Sequence, residues 1–195
     1  MIPQNVEGKE NDLEHSTQLT TAADAMKHYM QARHRLLHPA EWHQLAGPLS
    51  AAFELVDNNG TTLQRPAAAG DYIRIDIPGP GTAAGGGYDW VRLEALEEKP
   101  GLCTALRLRP CPNPQTEEEG TAHFFREKAT STIIVERENN IITTSYHGRN
   151  ELPNTKIAGT ADKLRNAAIA AGAFAGLSEL QWTALIKGLA DGNSQ

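Results

Sequence analysis

His34 and His38 stand four residues apart in a segment of helical periodicity, a spacing that lets two imidazoles grip one metal ion. Glu41 and His43 follow closely enough to complete a shell. Arg33 and Arg35 surround His34 and oppose a cation, and no third ligand falls at a diagnostic spacing such as H-E-x-x-H. The pair is therefore read as histidines flanking an apolar stripe, with a metal on His34, His38 and Glu41 as the minority case. A second motif, Gly79-Pro80-Gly81-Thr82-Ala83-Ala84, matches the alanine form of the dinucleotide fingerprint. That fingerprint holds a pyrophosphate at the N-terminus of a helix. Here the chain runs on through Gly85-Gly86-Gly87 into a strand pattern, so the five glycines predict a mobile loop between strands and no nucleotide.

Cys103 or Cys111 could form a nucleophile with His123 or His147, but neither cysteine opens a predicted helix, where its pKa would fall. Eight extended residues would hold the two cysteines roughly 26 Å apart, too far for a disulfide unless the chain doubles back at Pro110. Reduced thiols are expected. No G-x-S-x-G elbow and no Walker loop occurs, and no cofactor is expected. Arg74, Arg92, Arg107 and Arg109 share a strand face with Asp76 and Glu94. The plain reading is a solvated face laced with cross-strand ion pairs; the sharper one is an arginine-lined contact for an acidic partner or a carboxylate. Trp90 and Trp182 are the aromatic candidates for a ligand or partner contact. Gly172 and Gly176, at G-x-x-x-G spacing, are read as internal packing.

These residues must be positioned by an α+β arrangement. Residues 1–19 are polar and aperiodic and are expected to be a disordered tail. A single domain should then fill 20–191. Thr21 and Asp24 approximate a capping box, and Met26, Tyr29, Met30, Leu36 and Leu37 form an apolar stripe ending at His38-Pro39. Helices are thus expected over about 21–46. From 49 to about 147 the period becomes two, as in Ile73, Ile75 and Ile77, with turns at Asp57–Gly60, Pro100-Gly101 and Glu138–Asn140. Thr61–Arg65 is counted among these strands. Short connections argue for an antiparallel β-meander of six or seven strands, strongly curved or a partial barrel. Helices return over about 160–191. Asp162–Phe174 is one, and Ser178–Gln181 caps another that carries Trp182, Leu185, Ile186 and Leu189.

The chain has 195 residues, a formal net charge of −6 and no basic run, which disfavours nucleic acid and anionic membranes as partners. The longest apolar run is eleven residues, too short for a bilayer, and the start lacks the basic and apolar regions of a secretory signal, so a soluble, cytoplasmic protein is expected. The polar composition and the missing catalytic constellation favour a non-catalytic interaction or adaptor module, binding another protein or itself. The alternative is a small-molecule carrier with a cavity between a curved sheet and the C-terminal helices. That architecture is similar in outline to helix-grip folds, with no residue motif behind the likeness. A metal-dependent enzyme using His34 and His38 is the second alternative.

Overall fold

The computed structural model describes residues 1–47, 50–77, 82–117, 120–155 and 175–192. Its centre is one open, antiparallel sheet of seven strands. The strands are β1 (Lys9–Gln18), β2 (Ala52–Val56), β3 (Tyr72–Asp76), β4 (Asp89–Lys99), β5 (Cys103–Pro110), β6 (Thr130–Glu138) and β7 (Ile141–Glu151). From β2 to β7 they pair in chain order as a meander, and β1 pairs with β7, so the order is β1-β7-β6-β5-β4-β3-β2. The alternation of Ile73, Ile75, Leu93, Leu106, Leu108, Ile133 and Val135 gives the sheet one apolar face. Helix α1 (Ala22–Leu36) covers it at β6 and β7, and α3 (Ala175–Asp191) covers β1 and β7. A short helix, α2 (Trp42–Ala46), follows a 3-10 turn at Pro39–Glu41 and packs on α3.

The N-terminal segment departs from expectation. Lys9–Gln18 is no tail; it lies antiparallel along β7 from Glu151 to Ile141. An edge strand needs only main-chain partners and one half-buried face, and Leu13 is its one large apolar side chain. Polar side chains do the rest. Thr17 Oγ1 donates to Asp191 at 2.6 Å, and Arg149 reaches Asp12 at 2.8 Å and Glu10 at 3.2 Å. The hydrogen bond from Arg149 holds the Asp12 carboxyl below its ordinary range, against the effect of burial and with help from His147.

Helix α1 begins as read, with Thr21 Oγ1 accepting from the Asp24 N–H at 3.1 Å. Its buried stripe is Ala25, Tyr29, Ala32 and Leu36, while Met26 and Met30 are exposed. The alanines let the helix lie close to the sheet, so the smaller residues win the inward face. The expected strand Thr61–Arg65 shrinks to one bridge, Val56 to Thr62. There the Asp57 carboxylate takes the N–H groups of Asn59 and Thr61, both at 2.8 Å, and the chain turns away to bond Ala67 N–H to the Leu37 carbonyl. Helix α3 already runs through Ser178, the position read as its cap. Its last turn is anchored: His28 meets the Ala190 carbonyl and Arg35 donates to the Leu189 carbonyl at 2.9 Å. The expected helix Asp162–Phe174, with Gly172, lies outside the described residues, as do Gly79 and Gly81. Among the described residues no helix is long and apolar enough to cross a membrane.

Candidate functional site

The apolar sheet face is not filled everywhere. Beside α3 a pocket of about 60 Å³ remains, floored by Phe53, Ile75, Val91 and Leu108. Its walls are Trp182 and Gln181 of α3, Ala51 before β2, and the loop His123-Phe124-Phe125 between β5 and β6. Trp182 stacks on Tyr146, ring centroids 4.5 Å apart, and leans on Phe53 at 6.3 Å. Phe124 and Phe125 pack at 4.5 Å, and His123 stacks on Phe124 at 4.1 Å. His123 Nδ1 accepts the Phe125 N–H at 3.0 Å, so that nitrogen carries no proton.

One polar device serves this apolar chamber. Tyr146, fully buried, donates its hydroxyl to Glu151 Oε1 at 3.1 Å, and Ser131 Oγ lies 3.1 Å from the same phenol oxygen. With the phenol proton directed to Glu151, Ser131 is the donor to Tyr146. The hydroxyl oxygen of Ser131, which lines the pocket, thus keeps lone pairs for an incoming donor. Burial pushes the Glu151 carboxyl up, only partly offset by Tyr146, Lys9 and Arg149, and burial raises the Tyr146 phenol well above its usual value. Gly148 makes room for the acid: a Cβ there would lie 2.2 Å from Glu151 Oε1. Among the described residues, no lysine, arginine or carboxylate lines the pocket. It suits a neutral, mainly apolar molecule with one hydrogen-bond donor.

The raised Glu151 pKa has a measurable consequence. Its contribution to stability is fully present below its ordinary 4.5 and is lost as pH rises through the elevated folded value. Glu151→Gln keeps an acceptor for Tyr146 and has no proton to lose. The variant is expected to be more stable than the parent at pH 8, by about 1–3 kcal/mol for a buried polar group. The gap should close near pH 4, as read by urea midpoints.

The residues singled out in the sequence fall elsewhere. On the opposite sheet face Arg107 and Arg109 both grip Glu94, at 2.7 and 2.9 Å, and Arg74 pairs with Glu54. Burial opposes ionisation of Glu94, but Arg109 and Arg107 together hold its pKa down. Arg92 lies over the Tyr72 ring at 5.9 Å. Trp90 is corrected from contact residue to core: it is fully buried on that outer face. The turn Ala83–Gly87 and the segment at Cys111 and Ala122 cover it, and its Nε1 donates to the Gly85 carbonyl at 3.0 Å. Gly85 is required there, since a Cβ would meet the Tyr88 carbonyl at 1.7 Å. Gly86 and Gly87 complete the turn with positive φ. Burial pushes the Cys111 thiol up to about 12 and raises Cys103 too, the reverse of what a nucleophile needs. Both cysteines are free. Of the expected contacts, Trp182 alone reaches the pocket. Ser131, Tyr146 and Glu151 escaped sequence reading; the pair Phe124-Phe125 in a polar loop was the available signal, because two adjacent phenylalanines there need somewhere to bury.

No protein-family model matches the chain, and no curated protein does. Its fold is found in solved structures. A hypothetical protein of Helicobacter pylori is 12% identical, with 93% of this chain and 88% of that one aligned at a TM-score of 0.50. A STAR-related lipid transfer protein fragment from Xanthomonas axonopodis is 15% identical over 89% and 85%, at 0.46. Norcoclaurine synthase from Thalictrum flavum, in complex with dopamine and hydroxybenzaldehyde, is 11% identical over 96% and 90%, at 0.42. The likeness is one of fold alone: an antiparallel sheet with N- and C-terminal helices. The expected interaction or adaptor module is corrected in favour of its alternative, whose mark, a pocket between the sheet and the C-terminal helix, is present.

Proposed function

We propose that this chain is a carrier for a small, neutral, mainly apolar molecule, held between the apolar sheet face and α3. The observation that supports it is the aromatic pocket at Trp182, uncharged among the described residues, with the Ser131–Tyr146–Glu151 relay as a polar anchor beside Gln181 and His123. The open volume of about 60 Å³ is smaller than the engineered cavity of about 150 Å³ that admits benzene. Drug-sized ligands occupy roughly 300–1,000 Å³. Loading therefore requires Trp182 and Gln181 to move outward. The last turn of α3 is tied to β1 and α1 through Asp191, Leu189 and Ala190, so the opening movement belongs to its earlier turns. Among the described residues, Gln181 is held there by the Ala51 N–H at 3.3 Å. The carrier works in the cytoplasm in this reading, a compartment that keeps Cys103 and Cys111 reduced.

Native mass spectrometry of freshly purified protein tests this. The expected result is one added small molecule per chain, lost on denaturation and recovered in an organic extract. A bare chain mass that stays bare after incubation with a panel of neutral aromatic and lipid alcohols would count against a carrier.

A further inference from the structure

We propose that His34, His38 and Glu41 form a binding site for one divalent transition-metal ion of the zinc class, independent of the pocket and of the carrier reading. The three ligand atoms lie within 4.8 Å of one another, with His34 Nε2 3.6 Å from Glu41 Oε1 and the two imidazole centroids 3.9 Å apart. Zinc holds nitrogen and oxygen ligands at about 2.0–2.2 Å, so ligands around one ion stand roughly 3.3 Å apart. The side chains are exposed enough to close that difference by small rotations. One ligand is already oriented. His38 Nδ1 bonds the His34 carbonyl at 2.7 Å, which makes Nδ1 the protonated nitrogen and leaves the Nε2 lone pair for a metal.

Of the flanking arginines, which oppose a cation in the bare sequence, Arg33 is turned away, while Arg35 still interacts electrostatically with Glu41. Arg33 makes a two-point pair with Glu98 at 2.5 and 3.1 Å, and Arg35 donates to the Leu189 carbonyl. Two imidazoles and one carboxylate leave a fourth position for water or a ligand atom. His38 and Glu41 also line a groove of about 280 Å³ with Glu54, Thr62 and Arg65, so the cluster borders a groove of molecular size.

Cobalt(II) titration of the full chain in a non-coordinating buffer at pH 7.5 tests the site. The expected result is one equivalent of bound cobalt with tetrahedral visible absorption, displaced by one equivalent of zinc with micromolar affinity. The double substitution His34→Ala/His38→Ala should weaken zinc binding at least 100-fold, and Glu41→Gln about tenfold. Far-UV circular dichroism confirms folding, and if the double variant does not fold, Glu41→Gln decides. The proposal is overturned by a lack of saturable binding. It is equally overturned if the variants bind zinc as the parent does, which would move the metal to other histidines such as His15 beside Asp191 or His147 beside Asp12.

Discussion

Deleting residues 1–18 is expected to lower the folding free energy by about 3 kcal/mol or more, as measured by urea denaturation of the parent and the shortened chain. Three losses combine. The main-chain ladder of β1 along β7 disappears, and Leu13 leaves the core margin. Arg149, whose side chain is only 9% exposed, loses both Asp12 and Glu10. Stranding a buried charge costs about 3–5 kcal/mol, and the lower end applies because the two carboxylates are themselves half exposed. Asp191 at the end of α3 also loses Thr17 and His15. A pH signature accompanies this. The Asp12 carboxyl is held below its ordinary 3.8, so its contribution is present above that pH and fades as pH falls through the lowered value. The deletion should therefore weigh less at pH 3 than at pH 7. An unchanged urea midpoint would restore the reading of 1–19 as a dispensable tail.

Trp90→Ala should destabilise the protein by about 3–5 kcal/mol, the range for emptying a large buried aromatic site. Trp90 is the centre of a second small core, on the face of the sheet away from the helices, with Val56 and Ala122 and the partly buried Tyr72, Tyr88 and Cys111. Its side chain pins the turn through Gly85, and its main chain pins the segment at Cys111 and Ala122: its N–H donates to the Ala122 carbonyl at 2.7 Å, and its carbonyl accepts from Cys111 at 3.1 Å. The consequence is local as well as global. Cys111 is kept unreactive by the burial that pushes its thiol up to about 12. In the variant a thiol reagent at pH 8 should modify Cys111 more than ten times faster than in the parent, with Cys103 as the internal reference. Retained protection of Cys111 would mean that Trp90 does not hold this cover down.

Much of the fold was legible. Period-two alternation marked the strands from β2 to β7, and the tight turns at Pro100-Gly101 and Glu138–Asn140 forced antiparallel neighbours at β4–β5 and β6–β7. What escaped did so for physical reasons. The sequence of β1 is almost wholly polar because an edge strand is paid for by its neighbour's main chain, which hydropathy does not register. Trp90 shares the outer face with Arg92 and Glu94, where a solvated face was assumed, but the local turn at Ala83–Gly87 and the distant segment at Cys111 and Ala122 roof it. The arginines were placed on the right face as well, yet Arg107 and Arg109 converge on one carboxylate only because β4 and β5 pair in a particular register. The pocket was the least visible element. Phe53, Ser131, Tyr146 and Trp182 are scattered over about 130 positions and meet only through the meander and α3. His34 and His38 were readable by spacing, whereas the direction taken by Arg33 and Arg35 required Glu98 and the end of α3.

The most direct test of the carrier account is a fluorescence titration with N-phenyl-1-naphthylamine, a neutral apolar probe with a single N–H donor, on the parent and on Ala51→Leu. Ala51 lines the pocket, and three added carbons there take up most of its open volume while leaving the fold's main contacts in place. The account predicts saturable binding of one probe per chain, a blue-shifted emission, energy transfer from tryptophan, and affinity at least ten times weaker in Ala51→Leu. Probe emission that never saturates, or equal affinity in parent and variant, would contradict it.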